Sequence, residues 1–124
     1  MDRGDVVSDK IVVLVTCGSP AEADRIAEAL VEGRLAACVN VFQAPVRSTY
    51  RWKGKVEAAS EHLMLIKTSR RLLRVVQKEV ERLHSYDLPE VIALPIAAGS
   101  SAYLRWVGEG VRAPAARAKR RKRQ

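Results

Sequence analysis

Aromatic residues are scarce in this chain: one Phe, three Tyr and two Trp, 5% of 124 residues. A core must therefore be built from Val, Leu, Ile and Ala, and a hydrophobic content of 48% suffices for one. An RNA reader that stacks bases on the aromatics of central strands is disfavoured, because residues 11–17 and 62–68 contain none. Cysteine is nearly absent. Cys17 and Cys38 alone build no disulfide framework and no C-x-x-C metal pattern, and a reducing, cytoplasmic setting is expected. Long apolar runs are missing too. The run at residues 11–15 falls far short of the roughly 20 residues that span a bilayer, and MDRGDVVSDK lacks the apolar stretch of an export signal. No glycine-rich phosphate loop is present.

Acidic residues are outnumbered, 14 against 22 basic, for a net charge of +8. The excess is local. Residues 113–124, APAARAKRRKRQ, hold six basic residues and no acid, so residues 1–112 carry a net +2. The expected organisation is a flexible leader at 1–10, one domain at 11–112, and a disordered basic tail at 113–124. Nucleic acid is expected to meet this chain only weakly, through the tail.

The β-branched run at residues 11–17 reads as a central strand. Ser19-Pro20-Ala21-Glu22 is a helix start, with a capping serine, proline at the first position and glutamate closing a capping box. Ala23, Ile26, Ala27, Leu30 and Val31 then make an apolar stripe, and Gly33 is a stop. Residues 36–42 read as a second strand. Residues 46–52 read as its extended continuation after Pro45, the Lys53-Gly54-Lys55 turn reverses the chain, Val56 resumes and residues 62–68 are a third strand, so that residues 36–68 make a long hairpin-like ribbon. Thr68 or Ser69 is the expected cap of a second helix, whose Leu72, Val75, Val76, Val80 and Leu83 keep helical spacing. Residues 85–89 form a loop. A fourth strand follows at 91–97, with Pro95 pointing to an edge, and a short helix begins after Gly99. This βαβ–βαβ order with a C-terminal helix predicts an α+β ferredoxin-like sandwich.

Six phrases in order narrow this further: Val15-Thr16-Cys17; Leu35-Ala-Ala-Cys38-Val39-Asn40; Ser48-Thr49-Tyr50-Arg51-Trp52-Lys53-Gly54-Lys55-Val56-Glu57; Leu65-Ile66-Lys67-Thr68; Leu83-His84-Ser85-Tyr86-Asp87-Leu88-Pro89-Glu90-Val91-Ile92-Ala93-Leu94-Pro95; and Tyr103-Leu104-Arg105-Trp106. With them the chain resembles the CutA family of divalent-cation-tolerance proteins over about residues 11–112. The resemblance implies a ferredoxin-like homotrimer that binds divalent metals, copper above all, and acts in cation tolerance without a settled enzymatic reaction. Two positions depart from the family pattern. Ser85 takes the place of the proline in the usual His-Pro-Tyr, and Asp87 replaces the commoner Glu. A loop without that proline is expected to hold His84 less firmly.

Candidate metal ligands are His84, whose imidazole suits copper or zinc, with Glu90 and Asp87 as oxygen donors. Cys38 is a lesser candidate, for Cu(I). The bland reading of His84 is a residue in a last helical turn, and that of Cys38 a small strand hydrophobe. His62 is expected to be structural or exposed. Tyr50, Trp52, Glu57, Glu61, Lys67 and Tyr86 are expected at a subunit interface first and a cleft second, since a two-stranded arm is marginal alone. The rival reading is a PII-like trimer, a signalling or scaffold protein binding an anionic metabolite between subunits. No nucleophile stands with His84 in a catalytic pattern, so no enzyme is expected.

Overall fold

The computed structural model describes residues 8–114. The leader and tail expectations fall mostly outside that span, although Lys10 already lies in the first strand. The elements run β1 (Lys10–Cys17), α1 (Pro20–Glu32), β2 (Cys38–Val41), β3 (Val46–Trp52), β4 (Lys55–Ser69), a 3₁₀ turn (Arg70–Leu72), α2 (Leu73–Leu83), β5 (Ile92–Pro95) and α3 (Ser101–Gly110).

One antiparallel sheet has the order β2-β4-β1-β5, and β3 pairs with β4 beyond it. Strand alternation sorts β1 as far as Val15, after which Thr16 and Cys17 are both buried. Ile11, Val13 and Val15 are buried against Ile26 and Leu30 of α1 and Val76 and Val80 of α2. Met64 and Ile66 of β4 complete that layer, so α1 and α2 share one face of the sheet. Truncating a side chain as enclosed as Leu30 to alanine costs about 2–5 kcal/mol. The outer residues of the expected helical stripes, Val31 and Val75, stay exposed, because the sheet covers only part of each helix circumference.

β4 is longer than the third strand expected at 62–68. It runs unbroken for 15 residues. Its second half pairs with β1 from Cys17 opposite His62 to Lys10 opposite Ser69. Among the described residues, its first half pairs only with β3, from Val46 opposite Glu61 to Trp52 opposite Lys55. The connecting turn is Lys53 and Gly54, both with positive φ (51° and 82°), the two-residue hairpin geometry that matches strand twist. The ribbon therefore projects as an arm.

Ser19 caps α1 as its sequence implies, accepting from the Glu22 N–H at 3.2 Å. The other half of the expected capping box is absent, because the Glu22 carboxylate turns to a distant loop. Neither Thr68 nor Ser69 caps the second helix. The Thr68 hydroxyl donates to the Leu35 carbonyl at 2.6 Å, and Ser69 precedes the 3₁₀ turn without a side-chain cap. The left-handed residue after α1 is Arg34 (φ 59°), with Gly33 itself at −78°. The last strand is confined to Ile92–Pro95, an edge strand that ends at its proline.

Candidate functional site

Where the arm leaves the sheet, it faces the loop after α2 across an open cavity of about 760 Å³. β1 contributes Thr16; β3 contributes Tyr50 and Trp52; β4 contributes Glu57 and Glu61; the loop contributes Tyr86, Asp87 and Glu90. Five of the six expected cleft residues thus gather here. The sixth, Lys67, does not. It lies opposite Cys38 in the β2–β4 pairing, and its ammonium donates to the Asn40 side chain.

The expected ligands are not brought together. Asp87 and Glu90 line the cavity, whereas Cys38 sits on β2 at the far side of β4. His84 is the C-cap of α2, with a fully buried side chain. Its Nε2 lies 2.8 Å from the Thr16 carbonyl, and its Nδ1 accepts from the Tyr86 N–H at 3.1 Å. These partners select the tautomer with its proton on Nε2 and leave neither nitrogen free for a metal. Among the described residues, no three His, Cys, Asp or Glu side chains converge as a metal site. The described residues of one chain do not hold a ligand set for the cation the resemblance implies.

The loop that carries His84 is tied down at Ser85. The Ser85 N–H donates to Glu22 Oε2 at 2.6 Å, and its hydroxyl donates to Glu22 Oε1 at 3.1 Å. Glu22 is only 7% exposed, so these donors satisfy a carboxylate that burial would otherwise penalise. The proline usual in the family has neither donor. The expected loosening is thereby offset by a contact that proline could not make.

Tyr86 follows, its ring 4.7 Å from that of His84. Its phenol donates to Glu61 Oε2 at 2.9 Å. Burial first, then that hydrogen bond and the charges of Glu61 and Glu22, push the phenol up to about 12. Gly18 lets the ring lie close: a Cβ there would stand 3.3 Å from the phenol oxygen. On β1, Cys17 is fully buried with Sγ 3.6 Å from Met64 Sδ. Burial, aided by the charges of Glu22 and Glu61, raises its thiol to about 12. Both cysteines are free. His62 is structural, with Nδ1 3.0 Å from the Phe42 carbonyl.

Glu22 is the residue that sequence reasoning misses. Its spacing from Ser19 points to the helix cap, and nothing local marks it as a partner of Ser85. The departure from proline at Ser85 is the available signal, since a serine there supplies two donors that need an acceptor.

Comparison with known proteins agrees with this frame. The family model described as CutA1 divalent ion tolerance protein matches residues 11–110. The chain is 47% identical over 98 residues to the divalent-cation tolerance protein CutA of Thermus thermophilus, covering 79% of this chain and 94% of that one. It is 41% identical over 112 residues to the chloroplastic protein CutA of Arabidopsis thaliana, covering 90% of this chain and 61% of that longer relative. The solved structure of the divalent cation tolerance protein from Thermus thermophilus superposes with a TM-score of 0.80 at 45% identity, over 82% of this chain and 98% of that one. An antiparallel sheet with three helices, the ordered phrases and these matches lead to one conclusion: the chain belongs to the CutA divalent-cation-tolerance family.

Proposed function

We propose that this chain is a divalent-cation-binding protein of metal tolerance that acts as a ferredoxin-like homotrimer. The observation that carries the reading is the carboxylate-lined cavity beside the arm, in a chain of this family. The strand order β2-β4-β1-β5, with α1 and α2 on one face, supports the ferredoxin-like part. The opposite face supports the trimer. There Val12 pairs with Leu94 and Leu14 with Ile92, and Ile92 and Leu94 remain about half exposed. Val56 on the arm is exposed as well. A second and third copy would cover these residues and the strand edges, which otherwise invite aggregation.

Copper is the cation expected, with zinc the alternative. Asp87 and Glu90 are the accessible donors, and the set is completed between subunits. Oxygen ligands still rank Cu(II) above earlier divalent ions, so a carboxylate site is compatible with copper. His84 acts by holding Thr16 and Tyr86 in place, and Cys38 is the donor in reserve for Cu(I). The reading includes no catalysis: the Cys17 thiol is held protonated, and His84 has both nitrogens engaged. Two free thiols suit a reducing cytoplasm. No described helix is long and apolar enough to cross a membrane.

A calorimetric Cu(II) titration of the full chain in a weakly coordinating buffer tests this. Saturable binding at a fixed ratio per trimer, weakened in Asp87→Asn and Glu90→Gln, is expected. Absence of saturable binding overturns it, and binding lost only in Cys38→Ser moves the site to the thiol. The PII-like alternative needs an anion in the cavity, and the four carboxylates there, Glu57, Glu61, Asp87 and Glu90, oppose one.

A further inference from the structure

The cavity holds more than a point ion needs. Its four carboxylates face a single guanidinium, Arg51, which reaches away toward the Gly54 carbonyl at 3.4 Å. The acids are spread out rather than converged, since no three donors close on one centre among the described residues. Three aromatic rings, Tyr50, Trp52 and Tyr86, line the same space. Trp52 already has a cation near its face: the Lys53 ammonium lies 5.8 Å from the ring centroid.

Two nearly buried polar groups face the cavity without a complete set of partners. Thr16 is 7% exposed, and its hydroxyl has no hydrogen-bond partner among the described residues. Glu61 is 8% exposed; Oε2 accepts from Tyr86, and Oε1 has no donor among the described residues. A buried carboxylate oxygen without a donor is costly, and a ligand that supplies N–H groups relieves that cost.

Spaced negative charges, aromatic walls and an acceptor awaiting a donor describe a complement to an extended organic cation. We propose that the cavity binds a linear aliphatic polyamine. One ammonium donates to Glu61 Oε1 and Thr16, a second lies toward Glu57, and the methylene chain runs along Trp52 and Tyr50. An ammonium has three donors and no acceptor, which matches a lining of acceptors. The methylenes bury against the rings, a gain that a hydrated metal ion lacks. The site goes beyond divalent-cation binding and stands without it.

Titration calorimetry of the full-length chain in its native assembly with spermidine tests the proposal. Saturable binding is expected, with affinity falling about tenfold in Glu57→Gln and again in Trp52→Leu. Both side chains are exposed in one chain, so these variants keep its fold, which circular dichroism verifies, and sedimentation verifies that each variant keeps the parent's assembly. Glu61→Gln is expected to weaken binding further. Spermidine is expected to compete with Mn(II) only where the two share carboxylates. Absence of saturable heat with spermidine overturns the proposal. So does binding unchanged in the Glu57→Gln/Trp52→Leu double variant, which would place the amine on diffuse surface charge. Saturable Cu(II) or Mn(II) binding without any for spermidine would assign the cavity to the metal ion alone.

Discussion

Ser85 and Glu22 form a two-point clamp across the fold: the Ser85 backbone N–H and hydroxyl each donate to one oxygen of the same buried carboxylate. The clamp joins the first turn of α1 to the loop after α2, next to Tyr86, which lines the cavity and whose ring lies close to Gly18.

Replacing Ser85 by the proline usual in the family is therefore expected to destabilise this chain. Both donors are lost, and the buried Glu22 carboxylate keeps only the His84 ring, with Nδ1 3.5 Å from Oε2, at a cost of about 1–3 kcal/mol. The stiffer loop returns only about 0.4–1 kcal/mol. Urea unfolding at fixed protein concentration measures the balance. Ser85→Ala, which keeps the N–H, is expected to lose less than Ser85→Pro. A Ser85→Pro variant more stable than the parent would show that the clamp contributes little.

Stability is expected to fall in alkali through Tyr86. Its phenol ionises at about 12 in the fold against an ordinary value of 10.0. The folded state thus holds the proton more tightly than the unfolded one. The contribution is complete below pH 10 and disappears as pH rises toward 12. Denaturation midpoints across that window, compared with Tyr86→Phe, check it. Equal alkaline losses in both proteins would mean that other groups dominate.

The two thiols are expected to differ sharply in reactivity. Cys17 is fully buried and its thiol is raised to about 12, so almost no thiolate exists near neutrality. Cys38 is half-buried on β2, an edge strand. Iodoacetamide followed by mass spectrometry should label Cys38 first and Cys17 only on unfolding. Prompt labelling of Cys17 in the native protein would contradict the packing around Met64.

Leu94 offers a probe of assembly. It sits on β5 with half its surface open, on the face away from α1 and α2. If copies of the chain meet there, Leu94→Arg places a charge in the contact and shifts sedimentation toward the monomer. The secondary structure of each chain should survive, because Leu94 contributes little to the core. Unchanged sedimentation of an assembled variant would put the contact elsewhere.

How far the sequence can be read varies with the distance over which each feature is decided. The start of α1, the Lys53-Gly54 turn and the edge strand at Pro95 depend on neighbours a few residues apart, and residue types there report them directly. The continuity of β4 is hidden. Residues 55–60 lack a buried alternation, because the arm buries neither face there within one chain. The absent cap on the second helix has a similar cause. Thr68 looks like a capping residue until Leu35, 33 positions away, offers its carbonyl.

The same division holds at the candidate site. Family membership, the element order and the aromatic and acidic residues of the cavity wall all follow from the sequence, since motif phrases and periodicity survive in one dimension. What each residue does is decided in three. Glu22 leaves the helix cap because packing of α1 brings it to Ser85, 63 positions on. His84 turns from candidate ligand to scaffold because the Thr16 carbonyl, 68 positions away, accepts a hydrogen bond from its Nε2–H. Lys67 leaves the cleft because strand register points it at Asn40. A side chain's chemistry is intrinsic, but whether its donors and acceptors are free is settled by what the fold places within hydrogen-bond reach.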